Sequence, residues 1–146
     1  MFPADHSTRF GCLAKLSELP IERIRFVSES DESLLQEIDC GVLFIMAFWS
    51  GSSVTNFVHM TRVLGKLDPS GSLQFVVADI DGAESLCKGL LARKTFSGFG
   101  GYGEAAWIHQ GRVISIAGAT GCDPSFFESN IRDLMQLCSA RHSREP

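Results

Sequence analysis

Val42-Leu43-Phe44-Ile45-Met46-Ala47-Phe48-Trp49 is an unbroken apolar run, and Ser50-Gly51-Ser52-Ser53 follows it directly. A run with no polar residue cannot alternate between core and solvent, so it predicts a strand buried on both faces. Beyond the serines, Val54, Phe57, Val58, Thr61 and Leu64 recur at the spacing of one helix face. A buried strand therefore passes through a tight turn into a helix. Ser50, Ser52 and Ser53 are residue types that cap free N–H groups at a helix start.

Outward from this centre the chain reads as alternating strands and helices. Ile21 to Val27 alternates apolar and charged residues and predicts a strand with one partly exposed face. Ser28 with Asp31 makes a capping box for a helix carrying Leu34, Leu35 and Ile38, which Cys40-Gly41 ends. The helix after Ser53 runs to about Leu67, where Asp68-Pro69-Ser70-Gly71 is a strong turn signal. Leu73 to Ile80 is the next strand, and Glu84 to Arg93 a helix with Leu86, Leu90 and Leu91 inward. After the glycine-dense Ser97-Gly98-Phe99-Gly100-Gly101-Tyr102-Gly103, the stretches Ala105–His109 and Val113–Ala117 flank Gln110-Gly111 as a hairpin. Asp123-Pro124 and the box Ser125/Glu128 open a last helix with the stripe Phe127, Ile131, Leu134 and Cys138. Residues 1–20 are either a loosely packed arm or a short helix around Leu13, Leu16 and Leu19, and residues 141–146 form a tail.

The segment Ile45 to Ser53 resembles the active-site segment of thioredoxin and protein disulfide isomerase domains, where an aromatic strand end and a Trp precede Cys-Gly-x-Cys at a helix start. Trp49 and Gly51 match, while Ser50 and Ser53 stand at both cysteine positions. The order β-α-β-α-β-α-β-β-α agrees with that family, and Asp79 and Asp81 fall where its second central strand ends in an acidic residue. The resemblance covers residues 21–140. It implies an α/β, thioredoxin-like fold with a central mixed sheet, helices on both faces and the 42–49 strand internal. It also implies a groove. The family's cis-proline before the hairpin maps to about Gly103, yet no proline occurs between Pro69 and Pro124. Gly118-Ala119 resembles the third groove loop. Trp49, Gly51, Ser52, Tyr102, Gly103 and Gly118 are thus the expected binding surface, with Phe96 and Phe99 in the same glycine-rich loop.

Thiol–disulfide exchange needs a thiolate nucleophile and a thiol leaving group, and a serine hydroxyl supplies neither. Ser50 and Ser53 are therefore degenerate redox positions, and no catalytic residue is assigned. Serine nucleophilic chemistry would need an oriented base, and the spacing of His59 stacks it beside neither hydroxyl. Gly98, Gly100 and Gly103 spell G-x-G-x-x-G, but with a helix before and a strand after, the reverse of a dinucleotide site. No cofactor is expected. Cys12, Cys40, Cys87, Cys122 and Cys138 are odd in number and include no C-x-x-C pair, which argues against a disulfide framework and a metal site. The expectation is five free thiols and a cytoplasmic location.

A net charge of −4 leaves no electrostatic footprint for nucleic acid. The apolar run falls far short of the ~20 residues of a membrane span, and the first residues lack the apolar core of a signal peptide. The leading expectation is a redox-inactive thioredoxin-like domain that binds a protein or peptide as a chaperone, adaptor or assembly factor. The helix start near Ser50–Ser53 offers a place for an anionic group. Three alternatives stand beside it: a thiol enzyme using Cys122 or Cys87, a thioredoxin-like oxidoreductase carrying Cys-to-Ser replacements, and a structural domain of a larger assembly.

Overall fold

The computed structural model describes residues 6–91, 103–116 and 124–144. Its elements in chain order are α1 (His6–Ala14), β1 (Ile24–Val27), α2 (Ser33–Gln36), β2 (Cys40–Met46), α3 (Gly51–Leu67), β3 (Gln74–Asp79), α4 (Glu84–Leu91), β4 (Glu104–His109), β5 (Arg112–Ile116) and α5 (Pro124–Arg144). The strands form one mixed sheet in the order β1-β3-β2-β4-β5. β1, β3 and β2 run parallel, whereas β4 is antiparallel to β2, and β5 to β4. This is the thioredoxin-like arrangement expected from the sequence, with the apolar run at its centre.

Both faces of β2 are buried, but the strand is shifted from the expected 42–49: Cys40 and Gly41 open it instead of ending a helix, and Ala47, Phe48 and Trp49 turn out of it toward α3. Val42, Phe44 and Met46 face one core, which α3 closes with Phe57, Met60 and Leu64 and α5 with Phe127, Ile131 and Leu134. Leu43 and Ile45 face the other core, closed by Leu34, Leu35 and Ile38 around α2 and by Leu86 and Leu90 of α4. Successive side chains on a strand point to opposite faces, so each parity has its own helix layer. Phe44, Phe57 and Phe75 meet with ring centroids 6.0–6.5 Å apart and fix α3 over the sheet.

Several local expectations are revised. The alternation starting at Ile21 does not begin as a strand: Ile21–Arg23 is a 3-10 turn closed by the Arg23 N–H on the Pro20 carbonyl, and β1 starts at Ile24. α2 is only four residues long, and its first turn is held not by Ser28 but by Asp31, which accepts the Ser33 N–H at 2.9 Å. The N-terminal helix lies earlier than the leucine spacing suggested. Phe10, Leu13 and Leu19 join the main core, while Leu16 remains exposed. Gln110 and Gly111 do make the hairpin turn, with φ of 54° and 75°. Two successive positive φ values are the twist that a two-residue hairpin loop demands.

Candidate functional site

The strand–turn–helix centre places Trp49 and Ser50 between the end of β2 and the start of α3. Ser50 is the N-cap of α3: its backbone is extended, and its hydroxyl accepts the Ser53 N–H at 3.3 Å. Ser53 is fully buried. Its hydroxyl accepts the Ala47 N–H at 3.0 Å and donates to the Met46 sulfur at 3.4 Å. It closes the strand-to-helix corner from inside and has no face for a substrate. Neither serine is engaged by a histidine among these bonds, in line with the spacing of His59.

Gly51, Ser52 and Trp49 are exposed. Trp49 is 66% exposed, whereas Trp107, the other tryptophan, is completely buried against the rings of Phe126 and Phe127. Gly103 adopts φ +85° and lies against the same corner: a Cβ there would stand 3.1 Å from the Ser53 Cα and 2.8 Å from the Phe44 ring. The structure thus brings Gly103 onto Ser53 at the start of α3. Proline fixes φ near −65°, so this position is closed to it. Tyr102 and Gly118, the other expected groove residues, lie outside the described residues, as do Phe96, Phe99 and Cys122.

Sequence reasoning missed what lies behind the corner. Asp79, at the end of β3, is fully buried and accepts bonds from the Asp81 N–H at 3.0 Å and the Arg9 guanidinium at 3.1 Å. Arg9 comes from α1 and also stacks over the Phe48 ring, 5.3 Å from its centroid. The N-terminal helix is thereby tied to the residue just before Trp49. In the sequence Asp79 reads as a strand end, but no local pattern names a partner so distant in the chain.

The cysteines require a larger correction. Five free thiols were expected, but Cys40 and Cys138 form a disulfide across 98 residues, with Cα atoms 6.5 Å apart. The reason is face parity. Cys40 shares the β2 face of Val42 and Phe44, and Cys138 ends the α5 stripe packed on that face. The bond lies at the opposite end of β2 from the serine turn, about 20 Å away at the usual strand rise. The cytoplasmic expectation rested on free thiols, and the disulfide removes that support. No helix among the described residues is long and apolar enough to cross a membrane. Cys87 is free, and burial, reinforced by the charge of Glu104, pushes its thiol up to about 11. A thiol so shifted carries almost no thiolate near neutrality. A broad polar hollow of about 810 Å³, lined by Arg25, Asp31, Glu37, Asp81 and Lys88 among others, contains none of the expected site residues.

The arrangement is a thioredoxin-like fold, and solved structures agree. A chain from the structure on the thiol resolving mechanism in yeast mitochondrial 1-Cys peroxiredoxin via glutathione/thioredoxin systems is 22% identical with a TM-score of 0.54, covering 75% of this chain and 94% of its own. Schistosoma mansoni thioredoxin is 19% identical with a TM-score of 0.53, covering 75% and 94%. Oxidised mitochondrial thioredoxin 3 from Saccharomyces cerevisiae is 19% identical with a TM-score of 0.53, covering 73% and 94%. At these identities the likeness establishes the fold. No protein-family model and no curated protein matches the sequence.

Proposed function

We propose that the chain is a binding module of the thioredoxin-like fold, engaging a protein or peptide segment around Trp49, with no dithiol exchange at the Ser50–Ser53 turn. The observation that carries this reading is the exposed indole of Trp49 beside a capped helix start, in a chain whose other tryptophan is wholly buried. Tryptophan is enriched among the residues that anchor recognition surfaces. The first-turn N–H groups of α3 that Ser50 does not cap suit an acidic side chain or terminal carboxylate of the partner. The two bonds of the Ser53 hydroxyl support a serine native to this corner rather than a replaced cysteine. Such a module would serve as a chaperone, adaptor or assembly factor.

The test is in two parts. The full chain should fail to accelerate insulin reduction by dithiothreitol. A partner isolated with the wild-type protein should bind the Trp49→Ala variant at least about tenfold more weakly, as loss of an aromatic anchor entails. Equal affinity for the variant would refute the assignment of the surface. The Cys40–Cys138 bond supports a second reading, in which exchange takes place at that disulfide and not at the serines. Insulin turnover that disappears in Cys40→Ser would favour it.

A further inference from the structure

We propose that Cys40, Cys138 and His109 form a redox-gated site for a thiophilic divalent cation of the zinc type, closed by the disulfide and opened by its reduction. This inference concerns the far end of the sheet and is independent of any role for Trp49.

Three elements converge there. Cys40 opens β2, and His109 closes β4 as its direct register partner. Cys138 descends from α5 onto the same face. The two sulfurs and a ring nitrogen of His109 all lie within 4.8 Å of one another. A tetrahedral zinc ion, with bonds of about 2.3 Å to sulfur and about 2.0 Å to nitrogen, separates its ligand atoms by about 3.5–3.8 Å. Two strands and a helix thus gather all three donors in one cluster, and once the disulfide is reduced its sulfurs have only to part to that spacing.

Two further observations point to a ligand. His109 Nε2 is enclosed and has no hydrogen-bond partner among the described residues. An enclosed polar nitrogen in that condition is costly unless something completes it, and a metal ion would. A small hollow of about 130 Å³ opens beside the sulfurs, lined by Asp39, Ser72, Gln74 and Met135. It gives an ion a way in and leaves room for water in the fourth position of a three-ligand site.

Gating follows from the chemistry of sulfur. While Cys40 and Cys138 are bonded to each other, neither sulfur carries the thiolate charge that a zinc-type ion requires. Reduction by a dithiol breaks the protein S–S bond, passes two electrons and two protons to form both thiols, and leaves the reductant as its own disulfide. The ion then replaces the two thiol protons, which are released to solvent, and binds both thiolates and the neutral imidazole. Oxidation by a small-molecule disulfide reverses the sequence: it takes two electrons from the thiolates and two protons from solvent, becomes two thiols, and the ion is expelled as the protein S–S bond re-forms.

The test uses the full chain with cobalt(II) as a spectroscopic probe. Protein reduced with dithiothreitol, desalted anaerobically and shown by circular dichroism to remain folded should bind one cobalt ion with thiolate-to-cobalt charge-transfer absorption. Zinc should then bleach that absorption. The untreated disulfide form should show no such band. His109→Ala should weaken the reduced protein's affinity by about tenfold or more, and Cys138→Ser should abolish the band. A variant with Cys12, Cys87 and Cys122 all replaced by Ser should retain it. A band that survives Cys138→Ser, appears equally in the oxidised protein, or never appears in the reduced folded protein would overturn the proposal.

Discussion

Replacing Gly103 by alanine should be among the most damaging single-methyl changes in this protein. The residue sits at φ +85°, and an added Cβ would meet the Phe44 ring at 2.8 Å, the Ser53 Cα at 3.1 Å and the Asn56 Cβ at 3.2 Å. A left-handed backbone costs a non-glycine residue about 1–2 kcal/mol. The contacts cannot relax cheaply, because Phe44 is fully buried between the rings of Phe57 and Phe75, and Ser53 is backbone of α3. Overpacking of that kind costs about 1–3 kcal/mol. The stiffer unfolded chain returns about 0.4–1 kcal/mol. The net expectation is a loss of about 2–4 kcal/mol, a large share of the 5–15 kcal/mol typical of a domain. In a urea titration with a slope of about 2 kcal/mol per molar, the midpoint should fall by about 1–2 M. Gly51→Ala is the control: nothing lies within 4 Å of its Cβ, and the site is an exposed helix start. It should be neutral or stabilising by up to about 1 kcal/mol. If Gly103→Ala unfolds at the wild-type midpoint, the loop is not seated on Phe44 and the description of the corner is wrong.

The two serines of the corner should differ. Ser50→Ala removes a cap and should cost about 0.5–2 kcal/mol, while Ser53→Ala strands the buried Ala47 N–H and should cost about 1–3 kcal/mol; chemical denaturation would show the order, and a reversed ranking would contradict it. The Cys87 thiol, raised to about 11, keeps its proton in the folded state above the pH at which an unfolded thiol loses it. Its contribution to stability is therefore intact below about pH 8.5 and lost as pH rises toward the folded value. Stability measured across that window should fall more steeply in the wild type than in Cys87→Ser, and parallel curves would refute the shift. Reduction of the Cys40–Cys138 bond, which closes a 98-residue separation, should lower stability by about 2–4 kcal/mol. Calorimetry with and without reductant should show the transition move down by several degrees, and an unchanged transition would mean that the bond closes no loop in the unfolded chain.

What the sequence disclosed was whatever local chemistry determines. The apolar run does hold a doubly buried strand over Val42–Met46, although its last three residues leave the strand and Trp49 is exposed; Ser50 lies where a cap belongs, and the α5 stripe Phe127, Ile131, Leu134 and Cys138 is buried throughout. Residues 21–23 misled because strand alternation over so few residues also suits a 3-10 turn, and Pro20 supplied the carbonyl that closed it. The disulfide was illegible for a different reason. It depends on which turn of α5 rests on which end of β2, a register that no window of sequence contains. Its ingredients are nevertheless present in the sequence, since Cys40 has the parity of Val42 and Cys138 falls on the inward stripe of α5. The Arg9–Asp79 pair is likewise a product of assembly, and neither partner lies in a motif.

That pair also has a bearing on how the chain is born. Arg9 and Asp79 are separated by 70 residues, so at ordinary synthesis rates of about 5–20 residues per second the first waits about 4–14 s for the second. Through that interval α1 has neither its counter-charge nor the β3 strand beside it, and Phe10 and Leu13 have no finished core to enter. α1 is thus made before β3 but secured only after it. The nascent protein spends those seconds with Phe10 and Leu13 uncovered, and its yield in a cell should depend on what shields them until residue 79 has left the ribosome.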